Sequence, residues 1–272
     1  MGDGDLSAEV LHGPRGREAD AMFGPAISVA GCRIDPVDRA TALRVMAGFC
    51  REEWPHLVVT ADSSMLVMAQ TDPELREIME RADLVVPDSI GVIWASRLFG
   101  TPLRERVAGV EMMEQLCAHC RDAGLSIFLL GAARGIAERA AAQLQGAYPG
   151  LNVAGTHHGY FNEAEELEVI TKISSTRPDV LFAALGIPRQ EKWLSRRLHR
   201  LPIRLAMGVG GSLDVMAGEV KRAPVLFRRL NLEWLYRVVT NPGRYRKTLA
   251  LPRFVWLAFQ YRFLGRTLPR SD

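Results

Sequence analysis

No stretch of this 272-residue chain approaches the roughly 18–20 uncharged apolar residues that a bilayer span needs. The longest candidate, Leu249–Leu264, is interrupted by Pro252, Arg253 and Arg262, so a membrane-crossing helix is not expected there. Met1–Ala21 is polar and lacks the apolar core of a secretory signal, and residues 1–22 are expected to be a disordered lead-in. Cysteines are few: Cys32, Cys50, Cys117 and Cys120. Cys117-Ala-His-Cys120 has a metal-site or redox spacing but no second pair, and it lies within a helical pattern. Both are therefore expected as ordinary helix cysteines, which behave as small buried hydrophobes. The chain has no fixed-period repeat and no low-complexity tract. It also lacks an Asp-x-Asp cluster suited to holding Mg²⁺ against a nucleotide diphosphate.

What is present is unevenly distributed. Apolar content of 48% with 24% charge is that of a globular protein. Residues Glu219–Asp272 hold 12 Lys and Arg against 3 Asp and Glu, a net charge of +9. The preceding 218 residues hold 22 against 28, a net charge of −6. The basic tail is also aromatic, with Phe227, Trp234, Tyr236, Tyr245, Phe254, Trp256, Phe259, Tyr261 and Phe263. Cations mixed with amphipathic rings suit an anionic membrane surface or a nucleic acid.

Short apolar runs alternate with helix-period segments. Strands are expected over Ala26–Ile34, His56–Thr60, Leu84–Pro87, Ser126–Leu130, Leu151–Gly155, Val180–Leu185 and Arg204–Val209. Helices are expected over Arg39–Arg51, Ser63–Ala82 with a break at Asp72-Pro73, Ile90–Phe99, Glu111–Ala123, Ile136–Gln145, Glu163–Ser174 and Arg189–His199. Strands separated by helices of this length predict βαβ units and a mainly parallel, Rossmann-like α/β sheet. After Pro224 only helical patterns remain, at Val225–Val239 and Tyr245–Phe263. The expected organisation is a Rossmann-like domain over 23–218 and a helical, basic appendage over 219–272.

In open α/β sheets ligands bind outside the carboxyl ends of the strands. That rule selects Thr60 and Asp62, Asp88, Gly131, the group His157, His158 and Tyr160, the pair Gln190 and Glu191, and Asp214. Gly131-Ala-Ala-Arg-Gly135 joins a strand to a helix. Its amides either hold a diphosphate or form a plain left-handed turn. The spacing is neither the dinucleotide fingerprint nor a Walker loop. The next strand, Leu151–Gly155, offers no carboxylate about 20 residues on, which counts against a dehydrogenase. Asp88 is either a helix N-cap or a general base that takes a proton from a hydroxyl. Without a metal cluster, the cations for a diphosphate would be arginines. Adjacent histidines on a strand end point to opposite sides, so His157 and His158 are not expected to share a ligand. Tyr160 either stacks on a base or packs.

Nine segments together resemble one family: Ala82-Asp-Leu-Val-Val-Pro-Asp-Ser-Ile-Gly91, Arg106-Val-Ala-Gly109, Phe128-Leu-Leu-Gly131, Tyr148-Pro-Gly150, His158-Gly-Tyr-Phe161, Gly186-Ile-Pro-Arg-Gln-Glu191, Gly208-Val-Gly-Gly-Ser-Leu-Asp214, Lys221-Arg-Ala-Pro224 and Leu232-Glu-Trp-Leu-Tyr-Arg237. In order and spacing they are similar to the WecG/TagA/CpsF glycosyltransferases from about Val29 to Lys247.

The resemblance implies an inverting transferase that moves a sugar from a UDP-sugar to a polyprenyl-diphosphate-linked saccharide at the cytoplasmic membrane face, in cell-surface polysaccharide synthesis. N-acetylmannosamine, its uronic acid and glucose are the candidate sugars. By position it implies Asp88 as the base and Thr60, Arg106, Gln190 and Asp214 as pocket residues. It also implies Arg237, Arg244 and Lys247 or Arg246 as appendage cations, and no metal. UDP is expected near Gly131, Gly135, Tyr160 and Gln190, with Glu191 beside them. Two departures stand out. Asp62 occupies the place of a usual Asn, and Ser89 that of a usual Gly. A carboxylate at 62 close to Asp88 would raise one pKa by like-charge repulsion. The expected partners are the donor, the lipid-linked acceptor and an anionic membrane surface, with a homo-oligomer left open and no nucleic acid. A Rossmann-type oxidoreductase and a nucleic-acid-binding protein are the competing classes.

Overall fold

The computed structural model describes residues 24–220, 223–224, 227 and 250–263. Two short strands, β1 (Ile27–Val29) and β2 (Cys32–Ile34), pair as an antiparallel hairpin where the sequence suggested one strand. Ala30 and Gly31 turn the chain at φ +51 and +74. Both are left-handed, as the preferred two-residue hairpin turn requires. Asp35 then ties the hairpin to the sheet: it is fully buried, accepts from the Arg33 guanidinium at 2.8 Å and from the Val85 amide at 2.8 Å.

The main sheet contains β3 (His56–Ala61), β4 (Leu84–Pro87), β5 (Ser126–Gly131), β6 (Asn152–His157), β7 (Val180–Ala184) and β8 (Leu205–Gly208). Its order is β4-β3-β8-β7-β5-β6 and every neighbouring pair is parallel. Every residue of β3, β4, β5, β7 and β8 is buried. Strands covered on both faces need apolar side chains on both, which is why these segments read as continuous hydrophobic runs. Alternate residues feed two cores. Val59, Phe128, Leu181 and Ala206 face one, and Val58, Leu129, Phe182 and Met207 face the other.

The first core is closed by α2 (Ser63–Met68), α3 (Pro73–Arg81), α4 (Ile90–Leu98), α7 (Glu163–Thr176), α8 (Arg189–Arg197) and α10 (Ala250–Phe263). The second is closed by α1 (Arg39–Phe49), α5 (Gly109–Ala123), α6 (Ile136–Ala147) and the short α9 (Ser212–Met216). The break expected within 63–82 is real: the Asp72 carboxylate accepts from the Leu75 amide at 3.1 Å and Pro73 opens α3, the preferred N-terminal arrangement. Cys117 and Cys120 lie on the buried side of α5. Burial pushes the Cys117 thiol up to about 12 and raises Cys120 further, so both stay protonated core side chains.

No described helix is long and apolar enough to cross a membrane. Of the appendage, α10 is described, and it packs against α2 and α4; Phe254 and Ala258 are buried in the body's own core, and Leu257 is buried beside them. The helix expected over Val225–Val239 lies outside the described residues except for Phe227.

Candidate active site

The chain leaves β5 outward to β6 but leaves β7 inward to β8, so the connections diverge between β5 and β7. A crevice outside the carboxyl ends of such strands is where open α/β sheets bind ligands. Here the backbones approach closely. A Cβ on Gly131, whose φ is +132, would lie 2.4 Å from the Ala184 carbonyl oxygen, so only glycine fits. The Ala132 amide donates to the Ala184 carbonyl at 3.0 Å, and Gly159 donates to the Ala132 carbonyl at 2.8 Å. Gly135, at φ +80, is the N-cap of α6. The 131–135 loop is thus a left-handed strand-to-helix turn, and its Ala132 amide is engaged within the protein.

The loop after β6 folds onto the same rim. Arg189 donates from Nη1 to the Gly159 carbonyl at 2.8 Å and from Nη2 to the Phe161 carbonyl at 2.9 Å, with its guanidinium 4.8 Å from the centre of the Phe161 ring. Tyr160 is exposed beside it. His157 and His158 do not diverge as strand alternation suggests: their rings lie 4.4 Å apart, and His157 Nδ1 is 2.7 Å from the His158 carbonyl oxygen. The reason is that β6 ends at His157, so His158 lies beyond the pleat. Burial, then His157 and Arg134, hold the His158 imidazole below its ordinary value.

A second cluster joins the ends of β3, β4 and β8. Thr60 Oγ1 donates to the Gly208 carbonyl at 3.0 Å. The Asp88 amide donates to the Ala61 carbonyl at 2.9 Å, and its Oδ1 accepts from the Gly109 amide at 2.9 Å. The carboxylate therefore sits at the N-terminus of α5, where helix amides favour negative charge. It does not cap α4: Ser89 does, accepting from the Val92 amide. Gly109 is also constrained by packing, since a Cβ there would meet Thr60 Cγ2 at 3.1 Å. Arg106, half-buried, lies on the loop that leads into α5.

Asp62 caps α2, accepting through Oδ1 from the Met65 amide at 2.8 Å and from Ser64 Oγ at 2.6 Å. Gln190 and Glu191, expected as ligand groups, are each only 1% exposed. Gln190 Oε1 accepts from the Gly186 amide at 3.2 Å and the Gly210 amide at 3.1 Å, while Nε2 donates to Glu191 Oε1 at 2.7 Å. These contacts join the loops after β7 and β8. Ion pairs hold α8 in place: Lys192 reaches Asp72 at 2.7 Å and Glu74 at 3.1 Å, and Arg197 pairs with Glu166 at 2.8 Å. Asp214 lies on α9, half-buried.

The structure thus brings Thr60 and Asp88 together at one end of the carboxyl rim, with Gly131, Gly135 and Tyr160 on the loops of β5 and β6. Arg237, Arg244, Arg246 and Lys247 lie outside the described residues. Sequence reasoning did not single out Gly109, Gly208 or Arg189 as site-building residues. Gly109 stands in the quoted Arg106–Gly109 segment, but no local pattern shows that it must fit against Thr60.

Comparisons with known proteins give the chain its family. Residues 27–267 match the model of the glycosyl transferase WecG/TagA/CpsF family. A Bacillus spizizenii N-acetylglucosaminyldiphosphoundecaprenol N-acetyl-beta-D-mannosaminyltransferase is 37% identical over 198 residues, 73% of this chain and 76% of that protein. Proteins of the same name from Staphylococcus aureus and Bacillus subtilis are 36% and 33% identical, over 73% of this chain and 78% and 77% of their own lengths. With the family's match running from the β1 hairpin past α10, this chain belongs to the WecG/TagA/CpsF family of glycosyl transferases.

Proposed function

We propose that the chain transfers N-acetylmannosamine from a UDP-activated donor to N-acetylglucosaminyl-diphosphoundecaprenol, with inversion at the anomeric carbon. The observation that carries this reading is the Asp88 carboxylate at the end of β4, fixed through Oδ1 to the Gly109 amide in a chain 37% identical to an enzyme of that name. The acceptor hydroxyl oxygen attacks the anomeric carbon as the bond from that carbon to UDP breaks. The bonding pair leaves with UDP, and the hydroxyl proton passes to Asp88. A general base in this role is worth roughly 10²–10⁴ in rate. Anchoring one carboxylate oxygen orients the group before the acceptor arrives, which lowers the entropic cost of reaction.

The developing charge on UDP needs cations. Arg106 from the body and Arg237, Arg244 and Lys247 from the appendage fill that role in this reading. UDP lies along the glycine-lined rim by Gly131, Gly135 and Tyr160, with Asp214 beside it, and Gln190 and Glu191 hold the loops that frame it. No divalent cation is required. The acceptor is lipid-linked, so the enzyme works at the inner face of the bacterial cell membrane with its basic tail on the anionic surface. Family membership disfavours the oxidoreductase and nucleic-acid readings.

The test is a donor screen that measures UDP release with the lipid-linked acceptor. UDP-N-acetylmannosamine is expected to be turned over well above UDP-glucose and the UDP-mannosaminuronic acid, and EDTA to leave the rate unchanged. Preference for another sugar corrects the donor. Loss of activity in EDTA restored by Mg²⁺ overturns the metal-free reading. A thermal shift with NAD and none with UDP overturns the whole assignment.

A further inference from the structure

α10 has two unlike sides. Its inner side is locked to the body: the Phe254 ring packs on Gly91 of α4, with Cε1 3.4 Å from where a Cβ would stand, and Tyr261 Oη donates to Gln70 Oε1 at 3.1 Å. Its outer side exposes Val255, Trp256, Phe259 and Phe263. These rings associate with one another and not with the core, at 5.9 Å for Trp256–Phe259 and 4.6 Å for Phe259–Phe263, and the Arg262 guanidinium lies 5.5 Å over Phe263. The two helices beneath extend the apolar surface, α4 with exposed Trp94 and α2 with exposed Met68. Monomers rarely leave so large an apolar area in contact with water unless something covers it.

The charges around this face identify what covers it. α2, α4 and α10 contain no Asp or Glu, while Arg97, Arg253 and Arg262 are exposed on them. Aromatic rings beside cations, on helices that contain no acidic residue, fit the headgroup region of an anionic bilayer, where rings bury and guanidiniums meet phosphates. At 14 residues, α10 is about 21 Å long, too short to span and suited to lying in the plane.

We propose that the α2–α4–α10 side of the molecule, and not the basic tail alone, is the face that docks on the membrane, with Trp94 of the catalytic body and Trp256 of α10 both entering the lipid. This rests on the lipid-linked acceptor of the proposed function and adds the orientation. The sheet stands with one helical layer on the bilayer. Ser89 and Asp88, just before the start of α4, are then held beside the surface where an acceptor diphosphate emerges. Trp54 provides an internal control. It is 56% exposed, close to Trp256 at 57%, but it follows α1 on the opposite layer and lines an open cavity of about 550 Å³ with Arg177 and Arg204 at the amino ends of the strands.

The experiment uses full-length variants that keep one tryptophan each, at 54, 94 or 256, with the others replaced by Phe. They are mixed with phosphatidylglycerol/phosphatidylcholine vesicles carrying brominated acyl chains. Trp94 and Trp256 fluorescence is expected to fall at least twofold and Trp54 fluorescence to stay unchanged. Trp256→Ser with Phe259→Ser is expected to reduce vesicle flotation roughly tenfold or more, as expected from removing two buried rings, while leaving transfer to a short water-soluble acceptor intact. Flotation without quenching at Trp94 overturns the proposal in favour of the tail alone, whether or not Trp256 is quenched, as does equal quenching at Trp54. A dimer in sedimentation that buries Trp256 without lipid assigns the face to a second copy and overturns it too. If quenching occurs but no UDP-sugar is turned over, the docking face stands and the transferase reading falls. If UDP-sugar is turned over but the protein neither floats nor is quenched, the transferase reading stands and the docking face falls.

Discussion

The Ser63 and Ser89 hydroxyls meet at 2.9 Å, and Ser89 Oγ also accepts from the Ser63 amide at 3.1 Å. One side chain therefore joins the loop that carries Asp62 to the loop that carries Asp88. Ser89 stands where the family resemblance calls for glycine, which has no side chain to make this link. The same crowding reaches Gly91: a Cβ there would lie 2.2 Å from Ser63 Oγ, so the hydroxyl would have to turn away and give up this contact.

Ser89→Ala removes the α4 cap and the link to Ser63. Loss of such a cap costs about 1 kcal/mol, and the melting temperature is expected to fall accordingly. Combined with Ser63→Ala in a double-mutant cycle, the losses are expected to fall short of their sum by roughly 0.5–1 kcal/mol. Strict additivity in urea unfolding would show that the two hydroxyls do not act on each other.

Gly131→Ala tests the closeness of β5 and β7. The added methyl overlaps the Ala184 backbone, and φ +132 is a conformation side chains rarely adopt. Both penalties fall where β5 meets β7 at the carboxyl rim, and together they are expected to exceed about 3 kcal/mol. A variant with wild-type thermal stability would contradict the packing described for this crevice.

Gln190→Leu keeps the volume and removes the polar atoms that hold Gly186, Gly210 and Glu191. Buried groups left without a partner cost about 1–3 kcal/mol each. Stability is expected to drop by roughly 3 kcal/mol, measured by chemical denaturation. UDP affinity is expected to weaken with it, because the loops after β7 and β8 lose their common anchor.

Much of this arrangement was legible from the residues alone. Apolar runs between helix-length segments predicted the parallel sheet, Asp72-Pro73 predicted the start of α3, and the strand-end rule picked out Thr60 and Asp88. The features that were not legible depend on tertiary contact. Thr60 reaches a carbonyl 148 positions away, and Gln190 links an amide 4 residues before it to one 20 residues after it. Nothing local to Gln190 or Glu191 says that they are buried. The Ala30 turn was hidden because alanine rarely takes a left-handed conformation. Asp88 was a plausible cap by position, but the neighbouring Ser89 does that work and leaves the carboxylate to meet α5.

The Glu166–Arg197 pair predicts a pH dependence. The Arg197 hydrogen bond, against a smaller effect of burial, holds Glu166 below its ordinary value of 4.5. A depressed carboxylate contributes stability above its unfolded pKa and loses it as pH falls through the folded one. Glu166→Gln is therefore expected to be less stable than wild type by up to about 1 kcal/mol near neutral pH, with the gap closing in acid well below pH 4.5. Urea midpoints at both pH values measure it, and a gap that persists in acid would mean that packing, not charge, is what the substitution removes.

The most direct measurement of the central claim is the turnover of Asp88→Asn with UDP-N-acetylmannosamine and the lipid-linked acceptor, alongside its melting temperature. The amide oxygen can still accept from the Gly109 amide, so the fold is expected to survive while turnover drops by roughly 10²–10⁴. A folded variant that turns over at near the wild-type rate would contradict the account, because no proton would then need to pass to Asp88.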